Sequence, residues 1–169
     1  CSGLMGVTIG NGVTYIGKQL FSDCSNLACI IIPNGVQSIE LSAFTGCNRI
    51  ANITVPYCVC TNRLSNVFPS FYQSVTNVVV ADGVTMISDY LFNECSSLRS
   101  VTLPETVTRL GNYVFNDCSA LRAVTFEGSA PDVGVGVYNG TPRTLVTYVR
   151  QDSIGWAGGV SPDLPSEWN

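Results

Sequence analysis

The chain contains no histidine among its 169 residues. Without an imidazole, neither a Ser/His/Asp triad nor a Cys/His pair can form, which removes the commonest hydrolytic chemistries. Charge is also scarce: 12% of residues are Asp, Glu, Lys or Arg, with 8 basic against 12 acidic side chains and a net charge of −4. The charges are scattered singly, and no basic stripe offers a footprint for nucleic acid. No apolar run reaches the roughly 18 residues that a membrane-spanning helix needs. Walker and Rossmann glycine loops and the EF-hand spacing are absent as well. Asp89, Glu94 and Asp117 fall on outer loops with no reason to converge as a glycosidase pair. These absences leave no catalytic residue and no cofactor to assign. There is no initiator Met or signal peptide, and the chain opens at Cys1 in mid-repeat. It therefore reads as a piece of a longer or processed protein.

What is abundant is apolar: 46% of the residues are hydrophobic, enough for a substantial core and too many for a disordered chain. They recur at a fixed interval. Phe21 and Cys24, Phe44 and Cys47, Phe92 and Cys95, and Phe115 and Cys118 are each three residues apart, and Cys1, Cys24 and Cys47 follow one another at 23 residues, as do Cys95 and Cys118. A period of this length predicts stacked coils rather than a closed globule.

Aligned on that period, alternating apolar pairs recur: Val7/Ile9, Ile30/Ile32, Ile53/Val55, Val78/Val80, Val101/Leu103 and Val124/Phe126. Alternation of this kind is the signature of a strand with one buried face, so six strands are expected to stack into a parallel sheet. Turns such as Gly10-Asn11-Gly12 and Pro33-Asn34-Gly35 follow the strands. Second apolar pairs (Val13/Ile16, Val36/Ile39, Val84/Ile87, Val107/Leu110) predict a short opposite wall, and a one-turn helix is expected to carry each phenylalanine inward. Five of the eight cysteines occupy a single repeat position, where parallel Cβ vectors disfavour bridging, so free buried thiols are expected. Cys58-Val59-Cys60 is too tight for a zinc-type pair, and no metal site is read.

One coil breaks the pattern. Pro56 to Tyr72 is two residues longer than its counterparts, Tyr72 replaces the cysteine and the Asn-Gly turn is missing, which reads as a loop or bulge on one face. The repeats are expected over residues 1–126, about five to six coils with the irregular one at 56–72. Residues 127–169 are expected to form a C-terminal cap, with a last strand at Leu145–Val149 and Trp156 over the last coil.

Units such as Asn112-Tyr113-Val114-Phe115-Asn116-Asp117-Cys118-Ser119-Ala120-Leu121-Arg122-Ala123-Val124-Thr125-Phe126 resemble the BspA-like class of bacterial leucine-rich repeats. The resemblance covers about residues 1–126. It implies an α/β, β-rich solenoid: a right-handed superhelix with a parallel β-sheet, short second-wall strands and one-turn helices. It also implies a cell-surface or secreted location and a non-enzymatic binding task such as adhesion, and it carries no catalytic residue across. In such a chain the sequons Asn52-Ile53-Thr54 and Asn139-Gly140-Thr141 read as chance.

The candidate binding surface is the open face of the sheet. Thr8, Ile31, Thr54, Val79, Thr102 and Thr125 lie between the inward pairs and point outward, flanked by Gly6, Cys29, Asn52, Asn77, Ser100 and Ala123 and bordered by Arg99 and Arg122. An uncharged, β-branched row on a solenoid suits a protein partner first and a glycan second. Threonine and valine also simply favour strands, and that account of the row stands beside the functional one. Tyr15, Met86 and Arg109 on the second wall form a rival patch. Two other roles remain open: a structural spacer presenting another domain of a longer parent, and an enzyme built on Asp132, Asp152, Asp163 and Arg150.

Overall fold

The computed structural model describes residues 1–150. Trp156, Trp168, Asp152 and Asp163 lie outside those residues. In chain order the elements are β1 (Gly6–Thr8), β2 (Tyr15–Ile16), β3 (Cys29–Ile31), β4 (Ser38–Ile39), β5 (Asn52–Val55), α1 (Tyr57–Cys60), α2 (Leu64–Val67), β6 (Asn77–Val80), β7 (Met86–Ile87), β8 (Ser100–Leu103), β9 (Arg109–Leu110), β10 (Ala123–Phe126), β11 (Asp132–Val133) and β12 (Val146–Val149). Seven of them form one parallel sheet in the order β1-β3-β5-β6-β8-β10-β12. The chain thus winds as a solenoid and contributes one strand per turn.

The register is the one the period predicts. Val7 pairs with Ile30, Ile30 with Ile53, Ile53 with Val78, Val78 with Val101 and Val101 with Val124. From Ile30 onward these residues are at most 3% exposed, so like side chains lie on like side chains in a dry column. Each coil alone has no partner for its inward face, and stacking supplies one. The winding goes on past Phe126: β11 joins the second wall, β12 joins the main sheet, and the Tyr138 ring stacks on Phe115 at 5.4 Å.

Thr147 takes the next rung after Val124 in the buried column. Its hydroxyl oxygen is buried with no hydrogen-bond partner. A buried hydroxyl left unmade costs about 1–3 kcal/mol, and valine has nearly the same shape. Thr147→Val is therefore expected to stabilise the chain by about 1 kcal/mol, read as a higher urea midpoint with an unchanged slope.

The expected one-turn helices do not form around the phenylalanines, which sit in hydrogen-bonded turns. Two positions per coil have positive φ. One is two residues before the ring (Gln19, Tyr90, Tyr113, Gly136) and the other lies just before the cysteine position (Asp23, Gly46, Glu94, Asp117, Gly140). Left-handed residues at both points prevent a continuous helical ladder. Val13 is a second departure. Expected inward, it is 37% exposed, because its coil is the first and has no neighbour on one side.

The irregular coil holds the only helices among the described residues, α1 and α2. A helix rises about 1.5 Å per residue against about 3.3 Å in a strand. Two short helices therefore absorb the extra residues while β5 and β6 stay in register. They are not a simple outward bulge: Val59, Cys60 and Leu64 are fully buried, and Phe68 and Phe71 pack edge-on against Phe44 at 5.7 and 5.9 Å. Helical backbone spends its polar groups internally, so no second-wall strand forms here. The wall divides into β2-β4 and β7-β9-β11. Two hydrogen bonds bridge the gap, from Ser88 N–H to the Cys60 carbonyl (2.9 Å) and from Leu64 N–H to the Leu91 carbonyl (2.7 Å).

All eight cysteines are free, and Cys24, Cys47, Cys60, Cys95 and Cys118 are buried. In two coils the repeat thiol has a defined role. Cys47 Sγ donates to the Phe21 carbonyl at 2.9 Å, and Cys118 Sγ donates to the Phe92 carbonyl at 3.0 Å. The cysteine is small enough for the column and satisfies a carbonyl of the preceding coil.

Candidate functional site

The sheet brings the candidate residues into one row. Thr8 pairs with Ile31, Ile31 with Thr54, Thr54 with Val79, Val79 with Thr102, and Thr102 with Thr125. Thr8, Ile31 and Val79 are exposed, while Thr54, Thr102 and Thr125 are half-buried by their neighbours. The row has a seventh member: Tyr148, paired with Thr125 and 55% exposed. Its position was readable from the strand at Leu145–Val149, since it stands 23 residues after Thr125.

The flanking row is locked by side-chain hydrogen bonds. Asn77 Nδ2 donates to Asn52 Oδ1 and Ser100 Oγ donates to Asn77 Oδ1, both at 2.7 Å. Beyond it, Arg99 and Arg122 stand on successive coils, linked by an Arg122 N–H to Arg99 carbonyl bond of 2.9 Å, and both are exposed. The opposite margin was not anticipated. There Asp82, Glu105 and Glu127 line a cavity of about 660 Å³ with Thr125, Tyr148 and Arg150. Arg150 lies 3.5 Å from Glu105. The face is thus apolar along its middle, positive on one margin and negative on the other. Only stacking puts these acids together, because they fall at different places in their turns.

The rival patch is divided. Met86 and Arg109 are register partners. Tyr15 lies on the separate β2-β4 pair and donates its hydroxyl to Glu40 Oε1 at 3.0 Å. The helices α1 and α2 lie between the two wall segments in the chain's winding. Of the candidate enzymatic cluster, Asp132 and Arg150 are described, and the carboxylate beside Arg150 is that of Glu105. Among the described residues no group of three metal-ligating side chains converges, and no helix is long and apolar enough to cross a membrane.

The profile of the BspA type leucine rich repeat region matches the chain in six copies, over residues 1–122 and 61–148. The chain belongs to the BspA-type leucine-rich repeat family. As a family member it is a repeat module for binding or scaffolding, of a kind that is generally non-catalytic. No curated protein matches it. Among solved structures, the BspA-type chain is similar to a leucine-rich repeat protein of T. pallidum, with 23% identity and a TM-score of 0.54, covering 85% of this chain and 78% of that one. A leucine-rich repeat protein of Eubacterium ventriosum aligns at 22% identity and a TM-score of 0.51, over 89% of this chain and 46% of that one. A leucine rich cell surface protein of Faecalibacterium prausnitzii aligns at 28% identity and a TM-score of 0.49, over 73% and 32%. The chain therefore spans under half the length of the latter two. At these identities the first two likenesses speak for the fold.

Proposed function

We propose that this chain is a non-enzymatic protein-binding module of a cell-surface or secreted bacterial protein, and that the partner lies on the open face of the main sheet. The observation that carries this reading is the row from Thr8 to Tyr148. It is continuous, uncharged and partly apolar, with Ile31 at 41% and Val79 at 47% exposure and charged margins on either side. An apolar centre with a charged rim is the anatomy of a protein interface. Membership of a repeat family that binds through extended surfaces supports it further. Arg99 and Arg122 contribute one rim, and in the same reading residues 127–169 end the repeat array.

The test is the double variant Thr54→Arg and Thr102→Arg, assayed by surface plasmon resonance against a panel of host and bacterial surface proteins. Two long cations in mid-row are expected to weaken every partner bound there at least tenfold, while the thermal melt stays within a few degrees. Unchanged affinity for each bound partner would place the site elsewhere. No partner contacting the repeats at all would favour a spacer.

A further inference from the structure

The irregular coil leaves a second recognition feature on the opposite wall. Where α1 and α2 replace a strand, a groove of about 540 Å³ opens between them and β7-β9, lined by Thr61, Asn62, Arg63, Asn66, Met86, Asp89 and Arg109 among others. Two of the eight basic residues of an acidic chain meet here. Neither has a carboxylate within ion-pair distance among the described residues. The guanidinium of Arg63 lies 4.4 Å from the centre of the Tyr90 ring, which in turn stacks on Tyr113 at 5.3 Å. Stacking fixes the guanidinium plane and leaves its N–H edge free for a planar acceptor. Asp89, the groove's one carboxylate, is already engaged. Its Oδ1 accepts from Asn112 N–H at 2.7 Å and its Oδ2 from Asn112 Nδ2 at 3.2 Å. Asn62 Oδ1 accepts from Arg63 N–H (2.8 Å) and from Asn66 Nδ2 (3.0 Å), which turns the Asn62 amide nitrogen away from these bonds.

The geometry points to a binding site for an acidic segment of a protein partner, its carboxylates taken by Arg63 and Arg109 and its apolar atoms laid on the exposed thioether of Met86. Arginine suits this task because its fork matches a carboxylate with two parallel bonds. The two-residue insertion then has a function: it removes a strand from the wall and sets Arg63 beside the groove. The inference is independent of the open-face reading, since it uses other residues on the other wall.

The experiment is an NMR titration of the ¹⁵N-labelled chain with the extended peptide acetyl-Glu-Ala-Glu-Ala-Glu-amide, whose alternate carboxylates share one side. Shifts are expected at Thr61–Asn66 and Met86–Asp89. Affinity should fall at least fivefold in Arg109→Gln and in Arg63→Gln and fall with added salt, while Thr54→Arg with Thr102→Arg leaves it unchanged. Arg109 is exposed, so its variant reports on binding even where Arg63→Gln disturbs the Tyr90 stack. The inference is overturned by the absence of shifts at millimolar peptide, by shifts confined to the Arg99 and Arg122 margin, or by affinity indifferent to both arginine variants. Trigalacturonate shifting the groove residues when the peptide does not would assign the groove to an acidic glycan and overturn it equally.

Discussion

Phe115→Ala is expected to lower the unfolding free energy by about 3–5 kcal/mol, the range for truncating a buried aromatic side chain. The ring is fully buried and sits in a stack, 5.4 Å from Phe92 at an interplanar angle of 6° and 5.4 Å from Tyr138 at 19°. Its removal leaves two rings without a facing partner and a cavity that cannot collapse, because the coil spacing is held by the backbone ladders on either side. Stacked aromatic pairs contribute about 0.5–1.5 kcal/mol beyond area burial, so the loss belongs in the upper part of the range. Phe21→Ala is the internal control. Phe21 holds the same repeat position, but it is half-buried and stacks only on Phe44, at 5.2 Å. Its loss should be about half as large. Urea unfolding at neutral pH reads both. Equal losses would mean that the stack contributes nothing and that each ring is held by its own coil.

The phenylalanine column was legible because periodicity survives without any knowledge of the third dimension: residues 23 apart occupy equivalent places, and apolar alternation tells in from out. The same logic placed the row from Thr8 to Thr125 before any strand was seen. It failed where the signal is conformational. Gly46 and Gly140 advertise positive φ, but Asp23, Glu94 and Asp117 adopt it at the same position without advertising it, so the turns looked like helices. It failed also where substitution hid the repeat. Tyr138 stands for phenylalanine and Thr141 for cysteine, which made the last coil look like foreign sequence. The irregular coil was flagged by its length, but its helices carry too few residues to show a helical period. The acidic margin was invisible for a different reason: Asp82, Glu105 and Glu127 are distant in sequence and converge only because coils stack.

Stability should fall steeply above pH 9, and the buried thiols are the cause. Burial raises the Cys95 thiol from an ordinary value of 9.0 to about 12, with the charge of Glu94 adding to it. Burial, then the neighbouring Cys58, raises Cys60 to about 12 as well. Burial raises Cys118 and Tyr138 in the same direction. Between pH 9 and 12 these thiols are ionised in the unfolded chain and protonated in the folded one, so the folded state binds more protons. Raising the pH therefore favours unfolding. The stability each thiol contributes is fully present below pH 9 and is lost as the pH rises toward its folded value. Each costs about 1.4 kcal/mol per pH unit across that window, or about 4 kcal/mol for a shift of three units, so Cys60 and Cys95 together remove about 8 kcal/mol by pH 12. That is comparable to the whole stability of a typical domain. Urea midpoints at pH 7, 9, 10 and 11 are expected to be level to pH 9 and then to drop. Cys95→Val removes one titrating group without removing a thiol hydrogen bond, and should flatten the drop by about 1.4 kcal/mol per pH unit. A midpoint that holds steady to pH 11 in the unmodified chain would mean that these sulfurs either reach water when folded or do not titrate when unfolded, and the dry cysteine column would be wrong.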